Sequence, residues 1–373
     1  MLATSVGSLP GRAYFTFRDL RTTIRAMEQT ATVWNDLIGH EWAVELLRGA
    51  VTNDRVGHAY LFTGPEQIGK TALARTFAQA LNCEAPDPEA RPCGRCRACT
   101  LIAADRHPDV RVLHPEVSGR GQLSLKIEQI RELQRNLNLA AYEARRKAAI
   151  VTNFQAASQG AANAFLKTLE EPPGDVVLLL TAVEADALLP TITSRCRVVA
   201  LRPLPAERIA GALEQRWHLP PEEARLLSHL ADGRLGWAVD ALDDPDVVQD
   251  RAQKVDSLRE ALGGGRVERF ALAEKLAKDP EALTSILQTW LTWWRDLTML
   301  AWGGHEGAIT NVDRRQELMN LARRWDREAV VTALKQTRTA LWQLEHNANV
   351  RLVLENAFLT YPYLEGVIPD RGP

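Results

Sequence analysis

Leu61-Phe62-Thr63-Gly64-Pro65-Glu66-Gln67-Ile68-Gly69-Lys70-Thr71 fits G-x-x-x-x-G-K-[ST] with no substitution, the pattern of a phosphate-binding loop. The residue types follow from the chemistry. Gly64 and Gly69 let the backbone turn so that successive N–H groups converge on phosphate oxygens, and the helix that follows adds its positive N-terminal end. Lys70 would contact the β and γ phosphates, and Thr71 would offer a hydroxyl to Mg²⁺. The candidate nucleotide-binding residues are therefore Gly64, Pro65, Gln67, Gly69, Lys70 and Thr71, with ATP or ADP as ligand. The context agrees: residues 58–62 read as a short buried strand, and the apolar spacing over 71–78 predicts a helix ending near residues 81–83.

Upstream, a helix is expected over 42–51. Residues 1–26 match no pattern that continues downstream, Met27 is a plausible alternative start, and 1–32 is set aside as an N-terminal extension. Immediately after the loop's helix come Cys83, Cys93, Cys96 and Cys99, spaced C-x9-C-x2-C-x2-C. Four thiolates so placed can close a tetrahedral zinc site at about 2.3 Å per Zn–S bond, with Gly94 easing the tight turn. A closed Cys₄ site leaves no open coordination position, so the zinc would be structural. Crowding of four of five cysteines also argues for metal over disulfides.

Further along, a strand is expected over 109–113, a loop through Gly119 and Gly121, and an amphipathic helix with Ile127, Ile130, Leu133 and Leu137 on one face. The buried strand at 147–151 then runs into Thr152-Asn153-Phe154-Gln155. In a phosphate-loop ATPase that strand ends in acidic residues that hold Mg²⁺ and orient the attacking water. Neither an Asn nor a Thr does either task, and general-base assistance is worth about 10²–10⁴ in rate. Weak or absent hydrolysis is expected, with Mg²⁺ weakly held or not at all. A helix over 161–171 stops at Pro172-Pro173, and strands are expected over 175–180 and 197–201.

The chain has 373 residues, 45 basic and 47 acidic, for a net charge of −2. That length holds two or three domains, and the charge disfavours a free-standing zinc-dependent nucleic-acid binder. No apolar run of about 18 residues suggests a membrane span, so a cytoplasmic location and no membrane partner are expected.

Taken together, the phosphate loop, the four-cysteine insert, Asn163-Ala-Phe-Leu-Lys-Thr-Leu-Glu-Glu-Pro-Pro and Ser194-Arg195-Cys196 resemble the AAA+ subunits of the bacterial DNA polymerase III clamp loader over residues 33–245. The missing acidic pair at Thr152-Asn153 points within that family to the delta-prime type rather than the gamma/tau motor. So does Gly236, which stands where motors carry the sensor-two arginine in a Gly-Arg-Leu-Gly-Trp-Ala motif. The stretch 346–356 is similar to the last collar helix of delta-prime subunits.

The resemblance implies an α/β AAA+ domain with a parallel sheet and zinc insert over 33–202, a helical lid over 203–244 and an all-helical collar over 245–373. It also implies that Arg195 is an arginine finger reaching a neighbour's γ-phosphate, and that Cys196 packs without binding a ligand. The implied partners are the gamma/tau motors and delta, with the sliding clamp and primer-template DNA met through the complex. The sensor-one residue is left unassigned near Thr181, Ala182 and Val183. The competing reading is an ATP-hydrolysing motor that recruits Glu170 or Glu171. In the last region Ile286, Leu287, Trp290, Trp293, Trp294 and Leu297 form an apolar stripe, read as core with part of it facing neighbouring subunits, and one helical run is expected over 325–359.

Overall fold

A computed structural model describes residues 33–117, 123–345 and 348–364; the N-terminal extension, Gly119, Gly121 and the pair His346-Asn347 lie outside the described residues. Helix α1 (Glu41–Thr52) leads through β1 (Ala59–Thr63) and the phosphate loop into α2 (Lys70–Asn82). Then follow α3 (Arg97–Ala103), β2 (Val110–Leu113), a small hairpin of β3 (Glu116–Val117) and β4 (Leu123–Ser124), α4 (Ile127–Asn138) and β5 (Lys147–Val151). The α/β unit closes with α5 (Gln159–Glu170), β6 (Val176–Ala182), the single turn α6 (Pro190–Thr193) and β7 (Arg197–Ala200).

Five strands form one parallel sheet in the order β2-β5-β6-β1-β7. All residues of β1, β5 and β6 are buried, because helices cover both faces and leave no polar side for alternation. The pleat still sorts them. Tyr60, Phe62, Ile150, Val177 and Leu179 face one cluster with Leu73 and Phe77 of α2, and Ala59, Leu61, Val151, Leu178 and Leu180 face another with Ile130, Leu133 and Phe165 of α4 and α5. The Phe77 ring stands edge-on to Tyr60 with centroids 5.0 Å apart.

Strand ends differ slightly from the expected ones. β2 begins at Val110, since the Asp109 carboxylate accepts the N–H groups of Tyr142, Glu143 and Ala144 at 2.8–3.0 Å. The hairpin replaces part of the expected loop, and its strands are too short to leave a periodic signal.

Helices α7 (Ala206–Trp217), α8 (Pro221–Leu230) and α9 (Leu235–Asp243) share a small core of Ile209, Leu213, Ala224, Leu227, Trp237 and Ala238. Beyond them the described residues contain only helices: α10 (Asp246–Gly263), α11 (Arg266–Leu276), α12 (Pro280–Ala301), α13 (Arg315–Arg324), α14 (Arg327–Glu345) and α15 (Val350–Thr360), with short 3₁₀ turns. The apolar stripe of α12 is the centre of this bundle: Trp290, Trp293, Trp294 and Leu297 are fully buried within the chain, so no part of those four faces a neighbour. The expected single run over 325–359 is two helices. Trp325 caps α13, and Asn349 starts α15 by accepting the Leu352 N–H on its side-chain oxygen at 3.2 Å. No helix among the described residues is long and apolar enough to cross a membrane.

Arg269 fastens residues 358–363 to this bundle. It is 1% exposed, and its guanidinium donates to the carbonyls of Gly264, Phe358, Tyr361 and Pro362 at 2.5–3.2 Å while lying over the Tyr363 ring. Removing it strands buried acceptors. Arg269→Ala is expected to lower stability by roughly 2–4 kcal/mol in urea denaturation.

Candidate functional site

The phosphate loop leaves β1 at the C-terminal edge of the sheet and turns on two glycines. At Gly64 φ is +142°, and a Cβ there would stand 2.7 Å from the Leu201 carbonyl oxygen, so no other residue fits. Gly69, also left-handed, is the N-cap of α2. Between them Gln67 takes φ +58°, and the carbonyl of Ile68 hydrogen-bonds His40 Nε2 at 2.9 Å. Lys70 is buried and donates to the carbonyls of Gly64 and Pro65, each at 2.6 Å. Burial carries its pKa down to about 8, with the Glu66 carboxylate opposing the shift, so the ammonium is retained at neutral pH. Thr71 is half-buried beside it. The loop can therefore cradle a phosphate chain with backbone N–H groups, one fixed cation and one hydroxyl.

Across from the loop, at the ends of neighbouring strands, stand the groups that would meet a metal and water. Thr152 Oγ1 is 2.9 Å from His114 Nδ1 and donates to the Leu113 carbonyl at 3.3 Å. Asn153 sits in the left-handed region at φ 48°, and its N–H donates to Thr181 Oγ1 at 3.0 Å. The hydroxyl of Thr181 thus supports the turn after β5, and β6 runs on to Ala182. Here are no carboxylates at the two positions after β5, only a hydroxyl and an amide.

The four cysteines do converge. Their Sγ atoms all lie within 4.8 Å of one another, with Cys83 and Cys96 4.0 Å apart. A tetrahedral Zn²⁺ at 2.3 Å would need about 3.8 Å between sulfurs. Backbone N–H groups of Ala85 and Cys93 point at the Cys83 sulfur, and those of Cys96 and Cys99 at the sulfurs of Cys93 and Cys96, at 3.2–3.5 Å. Such donors stabilise thiolates. Burial pushes the Cys83 and Cys99 thiols upward when no cation offsets it. The donor set therefore suits a soft cation. It lies at the far end of α2 from the phosphate loop, a helix of 13 residues or about 20 Å.

Arg195 follows α6 and precedes the edge strand β7, at that strand's starting end, whereas the phosphate loop lies past the finishing end of its parallel neighbour β1. About six residues of strand, roughly 20 Å, separate the two levels. Its guanidinium donates to the Thr191 carbonyl at 2.9 Å and pairs with Glu170 Oε1 at 2.8 Å. Glu170 therefore belongs to the arginine's surroundings, not to the phosphate loop. The Cys196 thiol is pushed by burial up to about 12 and packs against the α5 side of the sheet.

Contacts from α9 complete the loop's surroundings. The Gly236 N–H donates to the Gln67 carbonyl at 2.9 Å, and Gln67 Nε2 donates to Asp240 Oδ2 at 2.5 Å. Gly236 stands out by its motif and Thr181 by its place at a strand end, where the sequence assigns it no role; His40 and Asp240 carry no such signal.

A family model described as DNA polymerase III, delta subunit, matches residues 39–205, and one described as DNA polymerase III, delta subunit, C terminal, matches residues 245–361. The chain is 40% identical over 210 residues to DNA polymerase III subunit delta' of Pseudomonas aeruginosa, covering 55% of this chain and 61% of that relative. The chain belongs to the delta-prime family of DNA polymerase III subunits. The delta' subunit of Bacillus subtilis is 28% identical over 320 residues, 85% of this chain and 94% of that relative. Subunit tau of Salmonella typhimurium is 34% identical over 233 residues, but that stretch covers only 35% of tau. The Bacillus subtilis delta' match is long enough to take in both the α/β unit and most of the helical C-terminal region, while the tau likeness spans 61% of this chain.

Proposed function

We propose that this chain is the non-hydrolysing, stator-like member of a bacterial clamp loader. It would assemble with gamma/tau motors and delta through its C-terminal helices as a collar. It would lend Arg195 to ATP bound on a neighbour and help place a sliding clamp on primed DNA. The observation that carries the reading is the end of β5, where Thr152 is held by His114 and Asn153 by Thr181. Neither side chain can take a proton from water at neutral pH or supply a negative ligand to Mg²⁺. The cradle made by Gly64, Pro65, Gln67, Gly69, Lys70 and Thr71 fits ATP or ADP as a bound, uncut ligand. Zn²⁺ held by Cys83, Cys93, Cys96 and Cys99 would supply shape and no chemistry.

The position of Arg195 supports action in trans, since its own phosphate loop lies at the opposite end of the adjacent strand. The motor reading needs Glu170 or Glu171 near that loop, and Glu170 is paired with Arg195. The isolated protein is expected to turn over ATP no faster than its Lys70→Ala control in a phosphate-release assay. Turnover that depends on Lys70 would restore the motor reading.

A further inference from the structure

The first turn of α9 stands on the phosphate loop. A Cβ placed on Gly236 would lie 2.5 Å from the Gln67 carbonyl oxygen and 3.2 Å from its carbonyl carbon, so even alanine would lift the helix. That closeness allows the Gly236 N–H to reach the same oxygen at 2.9 Å. One turn along α9, the Asp240 carboxylate accepts from Gln67 Nε2 at 2.5 Å. The lid is held on its other side as well: Asp232 pairs with Arg295 of α12 at 2.9 Å and accepts from Thr310 Oγ1 at 3.2 Å, and His229 Nδ1 is 2.9 Å from the Ile309 carbonyl oxygen.

We propose that Gln67, Gly236 and Asp240 form a latch that keeps the lid seated on the phosphate loop whether or not a nucleoside phosphate occupies the loop. A lid reports a bound ligand only when the ligand has a differential affinity for its closed and open positions. In this chain the contacts that join α9 to the loop come from the loop's own backbone and from one side chain of its tip, while Arg208 with Glu41 and Arg216 with Asp36 tie α7 to the α/β unit. None of them uses the phosphate-binding N–H groups or Lys70. Closure is therefore supplied in advance, and the anchors at Asp232 and His229 carry the loop's position on to the C-terminal helices. A subunit so built fixes one geometry for its neighbours. The latch rests on the stator reading for its purpose alone, because its contacts are properties of the isolated chain.

Amide hydrogen exchange of the full-length protein tests it, read over residues 236–243 with and without saturating ADP and Mg²⁺. The native chain is expected to keep the same α9 protection in both conditions. Gln67→Glu sets a carboxylate against Asp240 with little change of size, and is expected to speed exchange there roughly tenfold. The swap Gln67→Glu with Asp240→Asn, which reverses donor and acceptor, is expected to return protection to the native level. Residues 221–230 of α8 serve as the folding control. The latch is overturned if ADP slows native α9 exchange tenfold or more, if Gln67→Glu leaves it unchanged, or if the swap fails to restore it. A missing effect of Arg195 on a reconstituted complex would instead count against the stator reading and leave the latch standing.

Discussion

Arg195→Ala is expected to slow ATP hydrolysis at the neighbouring motor site by about 10³-fold or more while leaving assembly of the complex intact. The size follows from what an arginine delivers in trans: a planar fork of donors that meets charge spreading over the γ-phosphate oxygens as the bond to the leaving group breaks. Lysine cannot reproduce that fork, so Arg195→Lys should recover little of the rate. The side chain is set for the task without being locked. Its pair with Glu170 joins two partly exposed groups, with side-chain exposures of 36% and 51%, and a pair of that kind is worth little in water. A phosphate, with more charge, can displace the carboxylate. Glu170→Gln should therefore leave the rate of the complex unchanged or higher. Steady-state turnover of the whole complex on primed DNA reads the fraction contributed by the adjoining site, and single-turnover measurement reads that site directly. An Arg195→Ala complex as fast as the native one would end the finger assignment.

Much of the α/β unit was legible because its signals are local. The phosphate loop is eight residues of contiguous chain, the cysteines lie within 17, and β1, β5 and β6 are apolar runs bounded by polar turns. The absent carboxylates at Thr152 and Asn153 were equally visible, since a strand's end is a fixed place in this fold. Contacts made by tertiary closure were not. Gln67 and Asp240 are 173 residues apart, and neither residue type in its local setting announces the other. The same holds for Glu170, which the sequence offers only as a carboxylate for the competing motor reading until Arg195 is seen beside it. The break between α14 and α15 was legible in principle from Asn349, a strong N-cap residue, but the continuous helical propensity on either side masked it. The tryptophan stripe of α12 fits core and interface alike by periodicity, and the packing of α10, α13 and α14 against it decides for core.

Removing zinc should have the largest effect on structure, and a local one. Purified protein is expected to contain close to one zinc per chain, and Cys96→Ser with Cys99→Ser none, by elemental analysis. Structural zinc binding to such sets contributes on the order of 10–16 kcal/mol at neutral pH, far beyond what the module's other contacts supply. Cys83 and Cys99 are buried mainly against Ala85, Cys93, Cys96 and Ala103, a cluster with no large side chain. Without a cation, the buried thiols of Cys83 and Cys99 would have to stay crowded against those of Cys93 and Cys96 in that small space, or the segment would open to water. Opening is the cheaper course. The variant, or the native protein after chelation, should lose amide protection from Cys83 through α3. The sheet should remain, because Phe77 and Leu73 hold α2 onto Tyr60 and Phe62 without help from the cysteines. Full-length protein that stays metal-free yet protects residues 83–103 as well as the zinc-loaded form would overturn the metal assignment, and collapse of the whole sheet would show that α2 depends on the module for its docking.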